Sequence, residues 1–306
     1  MRILIKIINR LYLLIINLPK KIIFNIFTIN LEKVICSVIF GNYSTILLNI
    51  NGNKILSKNS VNLKKFYKKD HLEFFNTNFD SLNFNPLNFI KIIGEKNKKF
   101  YDSSNENNLI KKIFKDNKNT NNQNYKFSID LLKLKSNNAG YDSEINQLTD
   151  LLINNKKYKE INNEYFNNNL KVKSVNIEQR YGIEIYKNKF INKVYSRGFH
   201  FDKERLDMVR FFISLDDLNE DAGGTDLINY QDTRKIVKRN FFRLNIFNPT
   251  RFFNDKIAEE DKSIKIHKYK GNKGCAVFFN PNLIFHRGNI PSKGLTRTIL
   301  SFTCGF

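Results

Sequence analysis

The chain has 306 residues, and 41% of them are hydrophobic, which is enough for a folded core in one large domain or two small ones. Its formal net charge is +22, from 51 basic and 29 acidic residues. The three cysteines, Cys36, Cys275 and Cys304, form no C-x-x-C pair. This spacing argues against a disulfide scaffold or a zinc site and favours a reducing cytoplasm.

The positive charge is typical of proteins that bind nucleic acid, but its composition indicates another origin. Only twelve of the 51 basic residues are arginine, and none lies between Arg10 and Arg180. A nucleic-acid groove usually combines arginines with aromatic platforms. Lysine, asparagine and isoleucine are abundant together, as an AT-rich coding sequence would produce. We therefore attribute most of the charge to coding bias and do not expect a nucleic-acid partner.

The first 21 residues predict an amphipathic helix. Arg2, Lys6 and Lys20 fall near one stripe of a helical wheel, while isoleucine, leucine and tyrosine cover most of the rest. The uninterrupted apolar stretch is too short to span a bilayer. A basic edge beside a wide apolar face suits an anionic membrane surface, so we predict a cytoplasmic protein with peripheral membrane contact through residues 1–21. A helix buried in the domain and a secretory signal are the alternatives.

Three regions follow one another along the chain. Residues 1–57 form an N-terminal extension, in which residues 34–57 look β-rich and Asn51-Gly52 predicts a hairpin turn. Residues 58–143 form a helical and loop region with an Asn-rich tract at 116–124, predicted to be a solvated loop. Residues 144–306 carry the clearest patterns and are the predicted functional domain.

The third region begins with helices and continues with strands. Ile145, Leu148 and Leu151 share one face of a predicted helix. Strand periodicity follows at 208–215, where Val209, Phe211 and Ile213 alternate with more polar positions, so one face is apolar. An acidic turn follows this strand. We expect its four carboxylates to be solvated rather than metal ligands: Asp216, Asp217, Glu220 and Asp221.

A short motif, His200-Phe201-Asp202, is the first candidate for a metal site. In an extended strand, residues two apart point to the same face, so the imidazole of His200 and the carboxylate of Asp202 project together. Two histidines and one carboxylate on one face of an octahedron hold iron in non-haem Fe(II) oxygenases. A third ligand must therefore come from elsewhere in the chain.

His286 is the candidate for the third ligand. It follows the apolar run 275–279, and Arg297 lies eleven residues later, at the head of the β-rich run 298–304. The segment between them contains Gly288, Pro291 and Gly294 and predicts a loop that joins two strands, which could bring His286 and Arg297 side by side. A guanidinium group can bind a carboxylate through two parallel hydrogen bonds.

The other two histidines are predicted to lie outside this site. His71 is surrounded by charged residues in KKDHLEFF and is interpreted as a surface residue. His267 alternates within a strand and lacks the loop and arginine that accompany His286. Residues 229–262 form a basic and aromatic connection, for which packing, a lid over a substrate and a nucleic-acid surface all remain open.

Together these motifs resemble the phytanoyl-CoA dioxygenase family of Fe(II)/2-oxoglutarate oxygenases. The resemblance covers roughly residues 144–306 and consists of H-x-D, L-D-D-L-x-x-x-x-G and H-x-G with an arginine eleven residues after the histidine. It implies a double-stranded β-helix, or jelly-roll, flanked by helices. It also implies that His200, Asp202 and His286 bind Fe(II) and that Arg297 binds the 2-oxoglutarate cosubstrate.

The resemblance implies a dioxygenase that uses O2 and releases succinate and CO2. The expected substrate is a small molecule, a lipid or acyl compound, or a glycan. The carboxylate of Asp202 favours hydroxylation, because related halogenases lack that carboxylate and bind halide in its place. Two other classes of protein stay open: a jelly-roll that binds without turnover, and a nucleic-acid demethylase with the same chemistry.

Overall fold

The computed structural model describes residues 43–96, 126–136, 140–182, 198–202, 204–239 and 261–306. Within these residues the chain forms nine strands and seven α-helices. The strands are β1 Leu72–Asn76, β2 Lys126–Asp130, β3 Lys171–Tyr181, β4 Val209–Ser214, β5 Thr225–Ile228, β6 Ile266–Lys268, β7 Cys275–Phe279, β8 Phe285–Gly288 and β9 Thr296–Gly305. The helices are α1 Tyr43–Lys58, α2 Leu63–Phe66, α3 Pro86–Lys96, α4 Leu131–Ser136, α5 Asp142–Ile153, α6 Lys156–Phe166 and α7 Tyr230–Arg239, and a 3-10 turn covers Phe79–Ser81.

The strands form two sheets, and all their pairings are antiparallel. The large sheet has six strands in the order β1-β7-β4-β9-β3-β2, and the small sheet has three in the order β6-β5-β8. The inner faces of the sheets meet, since the ring of Phe279 on β7 lies 5.3 Å from that of His286 on β8. Two facing antiparallel sheets with helices outside confirm the predicted double-stranded β-helix in an α+β arrangement.

The outer face of the large sheet is apolar because alternate residues point to it. On β4, Val209, Phe211 and Ile213 are fully buried, as predicted. Helix α6 covers them, and the ring of Tyr158 lies 5.3 Å from that of Phe211. Burial of each large apolar side chain contributes roughly 1.5–3 kcal/mol. The alternate residues of the same strands therefore point inward, toward the small sheet.

The predicted hairpin at residues 34–57 is wrong for the part that the structure describes. Helix α1 runs through Asn51-Gly52 without a turn. Asn49, Asn53 and Leu56 are buried at helical spacing, and Asn53 accepts a hydrogen bond of 2.9 Å from the Tyr67 hydroxyl. A Cβ atom on Gly52 would lie 2.6 Å from the backbone nitrogen of Leu206. The glycine therefore allows close packing of a helix and does not form a turn.

The structure also adds strands to residues 58–143, which were predicted to be a helical and loop region. Strand β1 pairs with β7, with Leu72 opposite Phe279, and β2 pairs with β3, with Ile129 opposite Ile177. Strands that precede residue 144 therefore extend the same large sheet. The predicted Asn-rich loop at 116–124 lies outside the described residues.

Candidate metal centre

Backbone hydrogen bonds place the two candidate histidines opposite each other. The amide of His200 donates to the carbonyl of His286 at 3.0 Å, and the amide of His286 donates back to the carbonyl of His200 at 3.2 Å. The amide of Asp202 donates to the carbonyl of Pro281 at 2.9 Å. Residue 200 thus forms a bridge at the edge of the small sheet, beside β8.

The three side chains converge on one point. Oδ1 of Asp202 lies 3.6 Å from Nε2 of His200 and 3.5 Å from Nε2 of His286. One ligand atom from each residue lies within 4.8 Å of the others. No second group of three His, Cys, Asp or Glu side chains with this geometry occurs among the residues that the structure describes. Two imidazoles and one carboxylate are the donor set that suits Fe(II), so these residues fit that ion.

The hydrogen bonds of the rings orient them for metal binding. Nδ1 of His200 lies 2.7 Å from the carbonyl of Gly198. Because a carbonyl only accepts, Nδ1 carries the proton and Nε2 keeps its lone pair for a metal. Nδ1 of His286 has a weaker contact of the same kind, at 3.4 Å from the carbonyl of Ile284. Such contacts fix the tautomer and the ring orientation of ligand histidines.

Arg210 is a neighbour of the site that the sequence interpretation missed. Its Nη2 atom lies 3.2 Å from Oδ2 of Asp202 and 2.6 Å from Oε1 of Glu204. Burial alone would raise the pKa of Asp202, but the Arg210 guanidinium and the two histidines outweigh burial and hold that pKa well below its usual range. The carboxylate is therefore negatively charged, as a metal ligand must be. The alternation along β4 could have predicted this position, because it places Arg210 on the face opposite to that of Phe211.

Arg297 lies on the inner face of the large sheet. It is 2% exposed and donates a hydrogen bond through Nη1 to the carbonyl of Gly223. The predicted strand–loop–strand arrangement around it is present, because β8 ends at Gly288 and β9 begins at Thr296. However, β8 and β9 belong to different sheets. His286 and Arg297 therefore project from facing sheets and do not lie side by side on one.

The four carboxylates of the acidic turn lie outside the three-residue cluster. Asp216 is half-buried and accepts a hydrogen bond of 3.0 Å from the amide of Thr298. Glu220 is exposed and lies 3.1 Å from Nζ of Lys270. Asp217 accepts from the amide of Lys273 at 2.9 Å. These contacts hold the turn against neighbouring loops and strands. Asp216 is less solvated than we expected.

The remaining histidines differ from each other. His267 lies in β6 and stacks on Phe74 at 6.0 Å, consistent with a sheet residue. The interpretation of His71 as a surface residue is wrong, because its side chain is fully buried. A positive φ of 54° turns it inward, and Nε2 donates to the carbonyl of Phe66 at 2.8 Å. The charges that suggested a surface position are carried by the residues next to His71 in the sequence, not by His71 itself.

Two predicted regions lie wholly or partly outside the described residues. The amphipathic segment 1–21 lies wholly outside them, and so do residues 240–260, which are most of the aromatic connection. Membrane contact through residues 1–21 therefore stays a prediction. None of the helices in the described part of the chain is long and apolar enough to cross a membrane.

Comparison with known proteins gives structural similarities only. No family model and no curated protein matches the chain. A structure of the non-heme alpha ketoglutarate dependent carbocyclase SnoK from nogalamycin biosynthesis is similar at 11% identity and a TM-score of 0.44, over 79% of this chain and 81% of that one. The corresponding epimerase, SnoN, has 7% identity and a TM-score of 0.42, over 83% of this chain and 82% of that one.

A third similar structure is EctD from S. alaskensis with 2-oxoglutarate and 5-hydroxyectoine, at 10% identity and a TM-score of 0.42, over 78% of this chain and 73% of that one. At these identities and TM-scores, the similarities do not assign an activity to this chain.

Proposed function

We propose that the protein is an Fe(II)- and 2-oxoglutarate-dependent dioxygenase that oxidises a small molecule. One observation carries the proposal: ligand atoms of His200, Asp202 and His286 lie within 4.8 Å of one another, between two facing antiparallel sheets. A site with two histidines and one carboxylate would leave half of the iron coordination sphere for other ligands.

The chain's own residues have distinct roles in this proposal. His200 and His286 bind iron through Nε2, and Asp202 binds it through the oxygen that faces both rings. Arg210 orients Asp202, and Arg297 binds the far carboxylate of 2-oxoglutarate. Iron and 2-oxoglutarate supply the activation of O2, with release of succinate and CO2. Because the carboxylate ligand is present, hydroxylation is the expected outcome.

Aromatic side chains keep one side of the site dry. The rings of Phe201 and Phe285 stack at 4.2 Å, and both side chains are buried. Phe279 closes the space beside His286 from the large sheet. Exclusion of water strengthens electrostatic interactions in the site and limits side reactions. These residues therefore protect the histidine side of the cluster from bulk solvent.

The opposite wall of the interior carries polar side chains that could contact a substrate. Arg210 is the register partner of Thr303, and Ser301 lies two residues from Thr303 on the same face of β9. Ser301 in turn is the partner of Asn176 on β3. Because Arg210 reaches the site, these neighbouring hydroxyl and amide groups also point into the interior. Phe212, the register partner of Ser301, adds an aromatic ring to the same wall, so the wall suits a small molecule that has both polar and apolar groups.

The direct test is turnover of 2-oxoglutarate. Purified protein with Fe(II), ascorbate and O2 should convert 2-oxoglutarate to succinate slowly even without the true substrate. Asp202→Ala should abolish this reaction, because the carboxylate ligand is lost. His267→Ala is a matched control outside the cluster and should keep the rate. A folded wild-type protein that binds iron and forms no succinate would contradict the proposal and favour a jelly-roll that only binds.

A further inference from the structure

The turn between β7 and β8 holds the chain segment that carries Asp202. After the bridge at His200, residues 201, 202 and 204–208 lie outside both sheets, and β4 begins directly after them. The amide of Asp202 donates to the carbonyl of Pro281 in the turn at 2.9 Å. The backbone of the candidate carboxylate ligand is therefore held by a turn and not by a strand ladder.

Two buried asparagines on either side of Pro281 hold the same segment. The side-chain amide of Asn280 donates to the carbonyl of Leu206, and that of Asn282 donates to the carbonyl of Arg205, both at 2.9 Å. Both asparagines are fully buried. A side-chain amide is costly to bury unless it forms such hydrogen bonds. Three consecutive residues of the turn thus contact the ligand segment at three points.

Hydrogen bonds within the turn fix its own shape. Oδ1 of Asn280 accepts from the amide of Asn282 at 3.0 Å. The carbonyl of Asn280 accepts from the amides of Leu283 and Ile284, both at 3.1 Å. The central proline restricts φ in addition. The chain reaches His286 only two residues after Ile284, so one short turn contacts the segment of the carboxylate ligand and leads into the strand of the third ligand.

The contact with Asn282 also bears on Arg210. Glu204 directly precedes Arg205, whose carbonyl accepts from Asn282. Oε1 of Glu204 lies 2.6 Å from Nη2 of Arg210, and the same nitrogen lies 3.2 Å from Oδ2 of Asp202. A displaced backbone at Arg205 would therefore move Glu204 and, with it, the guanidinium group that orients the carboxylate.

We propose that Asn280 and Asn282 are positioning residues of the metal centre, which set where the Asp202 carboxylate lies relative to the imidazole of His286. The inference rests on the proposed function. Oδ1 of Asp202 lies 3.5 Å from Nε2 of His286, and a shift of the segment would misplace one ligand atom relative to the other. Neither asparagine needs to touch the ion, because each acts through a main-chain carbonyl.

The test uses Co(II) as the probe with full-length protein, because its visible absorption reports both occupancy and ligand geometry. Asn282→Ala should raise the apparent dissociation constant of Co(II) about tenfold, at the lower end for residues that orient ligands, because Asn282 acts one contact further out. The absorption bands of the Co(II)-saturated variant should also shift.

Tyr158→Phe is the matched control. It removes a buried hydrogen bond to a main-chain carbonyl, 3.2 Å to Leu170, on the helix-covered side of the large sheet. This variant should lose some stability and keep both the affinity for Co(II) and the absorption bands of the wild type.

The outcomes separate this inference from the proposed function. A wild-type protein that binds no Co(II) would contradict the proposed function itself. If the wild type binds Co(II) and folded Asn282→Ala keeps either its affinity or its absorption bands, only the role of the asparagines is wrong. Equal weakening in Tyr158→Phe would also overturn that role. If Asn282→Ala does not fold, Asn282→Ser decides, since its hydroxyl is one bond short of the Arg205 carbonyl: wild-type affinity would contradict the inference.

Discussion

Arg210 and the two histidines approach opposite oxygens of Asp202. Nη2 of Arg210 lies 3.2 Å from Oδ2, whereas both Nε2 atoms face Oδ1. The arginine thus fixes the carboxylate so that Oδ1 points at the space between the rings. This arrangement predicts that Arg210 matters for metal binding although it cannot be a ligand.

Arg210→Met should weaken iron binding about tenfold to a hundredfold, as loss of a residue that orients a ligand typically does. The reason is that Asp202 loses both its fixed orientation and its positive neighbour. The measurement is a titration with Fe(II) under anaerobic conditions. Arg287→Met is the matched control, because Arg287 also forms a carboxylate pair, at 2.8 Å to Asp226, but points away from the cluster. Equal losses in both variants would show that Arg210 acts only through general stability.

His286→Ala should remove most iron binding, whereas His267→Ala should leave iron affinity nearly intact. His286 supplies one of the three converging atoms, and His267 lies in β6 against Phe74. Bound iron is measured after desalting, and circular dichroism establishes that each variant is folded. Equal retention of iron by the two variants would mean that the third ligand has been chosen wrongly.

Arg297→Lys should weaken 2-oxoglutarate binding without abolishing it, and Arg297→Leu should have a larger effect. Lysine offers a point charge where arginine offers two parallel donors, and each charge-assisted hydrogen bond contributes roughly 1.5–3 kcal/mol. Loss of both bonds raises the required 2-oxoglutarate concentration about a hundredfold or more. The readout is succinate formation against 2-oxoglutarate concentration, with iron binding measured separately and expected to be unchanged. Wild-type dependence in Arg297→Leu would contradict the cosubstrate assignment.

His71 predicts a loss of stability in acid. Burial among the rings of Phe66, Tyr165 and Tyr230 lowers the pKa of His71 to about 3, against about 6.5 in the unfolded chain. Between these values the unfolded state binds the additional proton, so stability is present above about pH 6.5 and falls as the pH decreases toward 3. The slope from this residue approaches about 1.4 kcal/mol per pH unit.

His71→Asn removes the titrating group, and asparagine tolerates the positive φ. The variant should be less stable at pH 7 because it loses the ring contacts. Its free energy of unfolding, measured in urea from pH 4.5 to 6.5, should nevertheless depend less steeply on pH than that of the wild type. Parallel slopes for the two proteins would show that folding does not lower the pKa of His71.

Gly52→Ala should destabilise the protein by about 1–3 kcal/mol, although alanine normally favours a helix. The added methyl group would lie 2.6 Å from the backbone nitrogen of Leu206. Asn51→Ala, at the exposed neighbouring position of α1, is the control and should be neutral or slightly stabilising. Chemical denaturation of both variants measures the difference. A stabilising Gly52→Ala would contradict the tight contact between α1 and Leu206.

Local sequence patterns correctly predicted those features of the fold that are set within a single strand or helix. Alternation on β4 and helical spacing on α5 identified the buried residues correctly, since each pattern is set by a single periodicity. The convergence of the His200, Asp202 and His286 side chains agrees with the metal-ligand set that the resemblance implied. The sequence did not predict that His286 and Arg297 lie in different sheets, because β8 and β9 are neighbours in sequence but belong to facing sheets.

The errors came from residues whose partners are distant in sequence. Asn51-Gly52 is a strong local signal for a turn, but Gly52 packs against Leu206 across a long separation. His71 has charged neighbours, yet its ring contacts residues from α2, α6 and α7. Arg210 was recognised only as the polar side of a strand. In each case tertiary packing outweighed the local pattern.

The alternation along β9 has an evolutionary consequence. Leu300 and Phe302 point to the helices and are fully buried, while Arg297, Ser301 and Thr303 share the inner face with the candidate centre. Residues that secure folding and residues that can meet a substrate therefore occupy alternate positions of one strand. A lineage can exchange inner residues such as Ser301 and acquire new substrates while every contact of the outer layer is inherited intact. Ser301 and Thr303, on the inner face of β9, are accordingly the positions at which to introduce diversity in directed evolution of this protein.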